Sequence, residues 1–233
     1  MGVFITFEGP EGSGKSTQAR LLYERLQAFG FPVILTREPG GTRISEMIRR
    51  ILMDLRNTEM APTTETLLFS AARAQLVSEL IRPYLATGGI VLCDRYADST
   101  YAYQGYGLGR DLEELQAITA VATGGLLPDM TIYLDLDVEV GLQRKRSVRE
   151  RAEHYRETGE NPTAAPKPEW NRLDARDLAY HQRVAAGFTE LMRRDPGRWR
   201  SLSAEQPVDV IAEAIFREIE PLLQYVSPLR THG

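Results

Sequence analysis

Residues Gly9-Pro10-Glu11-Gly12-Ser13-Gly14-Lys15-Ser16 spell G-x-x-x-x-G-K-[ST]. They stand between a short apolar, β-branched run, Val3 to Phe7, and a stretch with Ala19, Leu22, Leu26 and Phe29 at helical spacing. No other feature restricts the chain as much. A strand that turns through glycines into a helix leaves backbone N–H groups converging at the positive end of the helix dipole, where a phosphate binds. The lysine then reaches the β and γ oxygens of ATP or GTP, and the Ser16 hydroxyl ligates Mg²⁺. With Thr17, this segment forms the candidate nucleotide cradle.

The rest of the chain repeats the strand-then-helix alternation. Further strands are expected at Val33 to Thr36, Ile90 to Cys93, Thr131 to Leu136 and, weakly, Trp199 to Leu202. Between and after them the sequence predicts helices over Lys15 to Phe29, Ser45 to Asp54, Thr63 to Ala86, Ser99 to Gln104, Leu112 to Thr123, from Val138, over Asp174 to Arg194 and over Val208 to Leu223. Such a pattern implies an α/β fold, a parallel five-stranded sheet flanked by helices on both faces, with ligands at the carboxyl ends of the strands. Residues 1–224 read as a single domain, and 225–233 as a tail. An irregular stretch near 150 to 172, with Gly159, Pro162, Pro166 and Pro168, reads as a mobile loop within that domain.

Charge and composition exclude several classes. Twenty-eight Lys and Arg against 32 Asp and Glu leave a net charge of −4, so there is no global field for nucleic acid or an acidic membrane. No apolar run approaches a membrane span, and the N-terminus lacks the pattern of a signal peptide. One cysteine, Cys93, excludes an intrachain disulfide, and three scattered histidines do not suggest zinc. A reducing, cytoplasmic setting is expected.

Because switches, motors and small-molecule kinases share the phosphate loop, the other loops must decide. An Asn-Lys-x-Asp guanine-reading element is absent: the segment after the fourth strand runs Asp135-Leu136-Asp137-Val138-Glu139. Asp94-Arg95-Tyr96 closes the third strand, where Arg95 can hold a second phosphate and Asp94 can help hold Mg²⁺. An Asp-Arg pair that only anchors a loop is the other reading, and Asp135 is the alternative metal carboxylate.

Four blocks carry a specific resemblance: Phe7 to Thr17, Thr36-Arg37-Glu38-Pro39-Gly40-Gly41-Thr42, Leu68-Phe69-Ser70-Ala71-Ala72-Arg73, and Asp94-Arg95-Tyr96 with Ser99 to Gly105. A fifth runs from Pro128-Asp129 through Tyr133-Leu134-Asp135 to Gly141-Leu142. The chain resembles the bacterial thymidylate kinases, which phosphorylate dTMP to dTDP with ATP. The resemblance implies a P-loop NTPase fold with a mobile lid, a homodimer built from helices covering the sheet, and dTMP as substrate. It also implies residue roles. Phe69 would stack on thymine and Arg73 would donate to an exocyclic oxygen. Ser99, Thr100 and Gln104 would border the base, and Tyr103 would fill the space of a ribose 2′-OH. Arg95 and Arg37 would hold the acceptor phosphate near Pro39, and Glu11 would lie near the sugar and metal.

Between Arg144 and Arg156, six basic residues (Arg144, Lys145, Arg146, Arg149, Arg151 and Arg156) face only Glu150 and Glu153. Such a run can be a solvated helix face. It can also close over a phosphoryl group as it transfers, where a guanidinium stabilises the spreading charge. In relatives whose phosphate loop lacks arginine the lid supplies it, and here the loop carries Glu11, Gly12 and Ser13. The lid is expected at about 144–173, with Arg149 and Arg144 as the candidate catalytic arginines beside Lys15 and Arg95. Its length clouds how Asp174 and Arg176 match the family's Asp-Arg pair. A kinase for another nucleoside monophosphate, a nucleotide-dependent switch and an inactive binding module remain as competing readings.

Overall fold

The computed structural model describes residues 2–158 and 170–228, the side chains of 155–158 excepted. Five parallel strands, β1 (Val3–Glu8), β2 (Val33–Arg37), β3 (Ile90–Asp94), β4 (Met130–Asp135) and β5 (Trp199–Ser203), form one sheet in the order β2-β3-β1-β4-β5. The helices are α1 (Lys15–Ala28), α2 (Arg43–Met53), α3 (Pro62–Leu76), α4 (Arg82–Ala86), α5 (Ala97–Thr100), α6 (Leu112–Thr123), α7 (Val138–Thr158), α8 (Leu178–Arg194) and α9 (Val208–Leu223).

Alternation along β1 explains why helices cover both faces. Val3, Ile5 and Phe7 pack with Ala19, Leu22 and Leu26 of α1 and Ile211, Ile215 and Ile219 of α9. Phe4 points the other way, into a core with Leu76, Val77, Ile81 and Tyr96. Strands buried on both sides read as continuous apolar runs. At the edge, β5 alternates between covered and exposed residues, which is why its sequence signal is weak.

Register places the site. Phe7 pairs with Asp94, and Asp94 with Arg37, so the loops after β1, β2 and β3 leave the sheet side by side. The chain crosses from β1 over β3 to β2, then travels back through β3 and over β1 to β4 and β5, so the connections that leave the neighbouring strands β1 and β4 run to opposite sides. That divergence opens a crevice at the carboxyl ends of the strands.

Four sequence expectations change in detail. The stretch from Ser99 to Gln104 is helical, but after α5 it continues as a π-helical turn, Tyr101–Gly107, with Leu108 N donating to Tyr103 O at 3.2 Å. The α3–α4 rod likewise contains a π turn, Val77–Ile81. The irregular stretch expected from about 150 instead begins as helix: α7 runs to Thr158, because no Gly or Pro falls between Leu142 and Thr158 and Arg149 pairs with Glu153 one turn on at 2.7 Å. The helix expected from Asp174 begins at Leu178, where the Asp177 side chain accepts from Tyr180 N at 2.7 Å. Gly159, Pro162, Pro166 and Pro168, and the end of the tail at 229–233, lie outside the described residues.

Candidate active site

The phosphate loop folds as its glycines require. Gly12 takes φ +71°, and a Cβ there would lie 2.2 Å from the Gly141 carbonyl oxygen, so only glycine fits between this loop and α7. No side chain caps α1, which starts at Lys15, so its first N–H groups remain available to an anion. The Lys15 Nζ donates to Gly9 O at 3.1 Å, Pro10 O at 2.7 Å and Ser13 Oγ at 3.3 Å. Burial, with the Arg95 charge beside it, pulls the Lys15 ammonium down to about 8. The Ser16 hydroxyl donates to the Asp94 carboxylate, joining the two residues expected at the metal. Asp135 is exposed, and its carbonyl accepts from Ala204 N at 2.7 Å. It does not line the cleft that Ser16 and Asp94 share.

Beside this loop, lining the same cleft of about 810 Å³, is a second cationic group. Arg95 adopts φ +71°, a conformation that L side chains rarely take and that its backbone N–H secures by donating to Phe7 O at 2.9 Å. Its guanidinium donates to Glu11 Oε1 at 2.8 Å and Ser99 Oγ at 3.3 Å, and lies 4.9 Å from the Tyr103 ring centre. Behind it, the buried Glu8 accepts from Tyr96 N at 2.9 Å, Ser99 N at 3.2 Å and Ser99 Oγ at 2.7 Å. Burial pushes Glu8 up to about 7 despite Arg95. Burial alone would raise Glu11 as well, but Arg95, Lys145 and Lys15 together hold it well below the ordinary carboxylate range. The Tyr103 hydroxyl also donates to Glu11, at 2.7 Å.

At the far end of the cleft Arg73 is almost wholly buried. Its Nε donates to Glu38 at 2.7 Å and its Nη2 to Tyr96 O at 3.1 Å and Thr100 Oγ1 at 3.0 Å, while Nη1 has no partner among the described residues. Phe69, half-buried one turn earlier on α3, lines the same cleft with Thr100, Tyr103 and Gln104. Arg37 and Pro39 line it too; Arg37 reaches Glu46 at 3.4 Å, and the Pro39 carbonyl accepts from Arg49 at 2.9 Å.

The two lid arginines part company. Arg144 lines the cleft and donates to Ala204 O at 3.3 Å, whereas Arg149 lies outside the cleft lining, paired with Glu153 and 5.6 Å from the Trp170 ring centre. The Arg156 side chain lies outside the described residues. Asp174 and Arg176 do not pair with each other: Asp174 takes two 2.7 Å bonds from Lys145, and Arg176 donates to Glu65 at 2.6 Å.

Sequence reading assigned no place at this site to Glu8, Glu38 or Arg49, nor one behind it to Glu65 and Arg172, and gave Lys145 only as part of the basic run. Only Glu8 carried a signal, a lone acid closing an otherwise apolar buried run. The others acquire their place through partners remote in the chain.

A phosphate loop at the end of β1, with a second cationic grip across one cleft at the end of β3, defines a P-loop nucleoside monophosphate kinase, a phosphotransferase. The thymidylate kinase family matches residues 7–215. The chain belongs to that family. It is 66% identical over 231 residues to the thymidylate kinase of Roseiflexus sp. (strain RS-1), covering 99% of both chains. It is 45% identical over 218 residues to that of Deinococcus radiodurans, covering 94% of this chain and 96% of the relative. Among solved structures, the thymidylate kinase of Ehrlichia chaffeensis superposes with a TM-score of 0.73 at 28% identity, over 94% of this chain and 98% of the other.

Proposed function

We propose that the cleft binds ATP and dTMP end to end and transfers the γ-phosphoryl group to give ADP and dTDP. The observation that carries this reading is the buried Arg73, whose Nη1 has no partner among the described residues although Arg73 lines the cleft with Thr100 and Gln104. A desolvated donor of this kind is costly unless a ligand acceptor meets it. The O4 of thymine is such an acceptor, with Phe69 against the base and Tyr103 against the sugar where a 2′-OH would stand.

The acceptor phosphate is ionised at neutral pH, so no general base is needed. One of its oxygens bonds to the γ-phosphorus as the bond to the β–γ bridging oxygen breaks and ADP leaves. Lys15 and the loop N–H groups orient the donor, Arg95 and Arg37 hold the acceptor phosphate, and Glu11 keeps Arg95 and Tyr103 in place. Of the two arginines expected to act from the lid at 144–173, Arg144 has the position for it, with Lys145 beside it. Ser16 and Asp94 offer hard oxygen ligands of the kind that would hold Mg²⁺. Bound there, the ion would neutralise charge on the β and γ oxygens.

Apolar side chains exposed along α2 (Ile44, Met47, Ile51) and on α3 (Leu67) support a homodimer through this helical layer. No helix among the described residues is long and apolar enough to cross a membrane. A cytoplasmic setting suits a kinase that draws on ATP.

Release of ADP with dTMP, dUMP, dCMP, dGMP and UMP as acceptors tests the reading. dTMP should be used best, UMP less well than dUMP because of Tyr103, and dCMP at least about 100-fold less well, since its amino group faces the Arg73 donor. Equal use of dCMP or dGMP would overturn it.

A further inference from the structure

Behind the base end of the cleft is a polar cluster that the transfer reaction does not itself employ. Glu65, with its side chain 1% exposed, lies at the start of α3 outside the cleft lining. Its Oε2 accepts from Arg172 Nη2 at 2.6 Å and Arg176 Nη2 at 2.6 Å, and its Oε1 accepts from Gln104 Nε2 at 2.9 Å. Arg172 is tied in turn to the end of α2, donating to Leu52 O at 3.2 Å. Arg176 lies 4.5 Å from the Tyr180 ring centre. Buried this deeply, the cluster leaves Glu65 little room to move.

A carboxylate accepts and never donates, so it dictates which end of a neighbouring carboxamide faces it. Gln104 must turn its NH₂ to Glu65, which leaves its carbonyl for the cleft that Gln104 lines. No described residue donates to that carbonyl. We propose that Glu65 is a positioning residue for acceptor selection, fixing Gln104 with its carbonyl toward the base so that the site takes pyrimidines bearing an N3–H. This rests on the thymine-type acceptor proposed above. With the Arg73 donor alongside, the wall then presents donor and acceptor side by side. That pair complements the O4 and N3–H of thymine or uracil and mismatches the amino group and bare N3 of cytosine.

The substitution Glu65→Gln separates this role from simple support. The two arginines still require an acceptor, so the new carboxamide turns its carbonyl to them and its NH₂ to Gln104, which must rotate and present its own NH₂ to the base. The ratio of kcat/KM for dTMP over dCMP should fall at least tenfold, through the dTMP KM, while the dTMP/dUMP ratio and the ATP KM hold. In a Gln104→Ala background the same substitution should leave the dTMP/dCMP ratio where Gln104→Ala alone puts it. Glu65→Asp, which keeps the charge but withdraws it by one methylene, should lower the ratio in the same direction. An unchanged dTMP/dCMP ratio in either folded variant overturns the proposal. Should neither fold, a crystal structure of the unaltered enzyme with dTMP decides: Gln104 must lie within hydrogen-bond distance of both Glu65 and N3, and contact with only one overturns it. If the unaltered enzyme does not phosphorylate dTMP, the functional reading fails first. If it does and the ratio is insensitive, only the role of Glu65 fails.

Discussion

The ammonium of Lys15 is held by carbonyls of its own loop, and its positive charge is what a triphosphate requires. Burial and Arg95 bring it down to about 8, below its ordinary value of 10.5, so in the free enzyme that charge is lost as pH rises through about 8. The kcat/KM for ATP, which reports the free enzyme, should therefore be flat below pH 7.5 and fall about tenfold per unit above pH 8. A profile level to pH 9.5 would remove Lys15 from that role. Stability runs the opposite way: between about 8 and 10.5 the unfolded chain binds the proton that the folded one has lost, so this group's contribution to stability rises with pH over that window. Lys15, Ser16 and Arg95 were legible because motifs fix them next to strand ends. Lys145 and Glu65 were not, since Lys145 meets Glu11 from 134 positions away and Glu65 meets Arg176 from 111. Within its own segment each looks like an ordinary surface charge.

At the level of elements, the phosphate loop and α7 are built against each other. Asp137 caps α7, accepting from Glu139 N at 2.8 Å and Val140 N at 3.1 Å, and this sets Gly141 on the loop. A Cβ at Gly141 would stand 2.1 Å from the Glu11 carbonyl oxygen, so backbone touches backbone between the donor site and the segment that carries Arg144 and Lys145. Gly141→Ala must push the two apart. The expected result is a loss of about 1–3 kcal/mol in stability, read from thermal unfolding, together with a rise in the ATP KM larger than that for dTMP. Wild-type unfolding and kinetics would show that the loop yields without cost. The Gly141-Leu142 pair was visible in the sequence only as the start of a helix, because a close approach between two backbones leaves no local pattern. The π turn at Tyr101–Gly107 was hidden for a similar reason. Its residues have helical spacing, and the i→i+5 bonding that widens the turn depends on packing with α8.

Over the whole molecule, the alternation of strands and helices was enough to give a parallel sheet covered on both faces, but not the order β2-β3-β1-β4-β5. That order depends on which strand joins which edge, which periodicity does not encode, and it is what places Arg37, Asp94 and the phosphate loop in one row. The same layering leaves one helical face with apolar side chains in water. Ile44, Met47 and Ile51, spaced three and four apart on α2, are 40%, 53% and 48% exposed, and Leu67 on the neighbouring α3 is 51% exposed. Leaving such a row in solvent is unfavourable, and a self-complementary patch on a second copy would cover it. That layer also borders the acceptor site: on α2, Arg49 donates to Pro39 O at 2.9 Å and Glu46 accepts from Gly41 N at 3.0 Å. Covering the outer side of α2 should therefore steady the loop proposed above to hold the acceptor phosphate. The double substitution Met47→Asp with Ile51→Asp places like charges across the seam, and light scattering should report a mass near the 26.2 kDa of one chain instead of twice that value. The dTMP KM of this monomer should rise several-fold with the ATP KM unmoved, because the donor loop leaves β1, with β3 between it and β2. A protein that stays dimeric would place the seam elsewhere, and a monomer with an unaltered dTMP KM would separate assembly from acceptor binding.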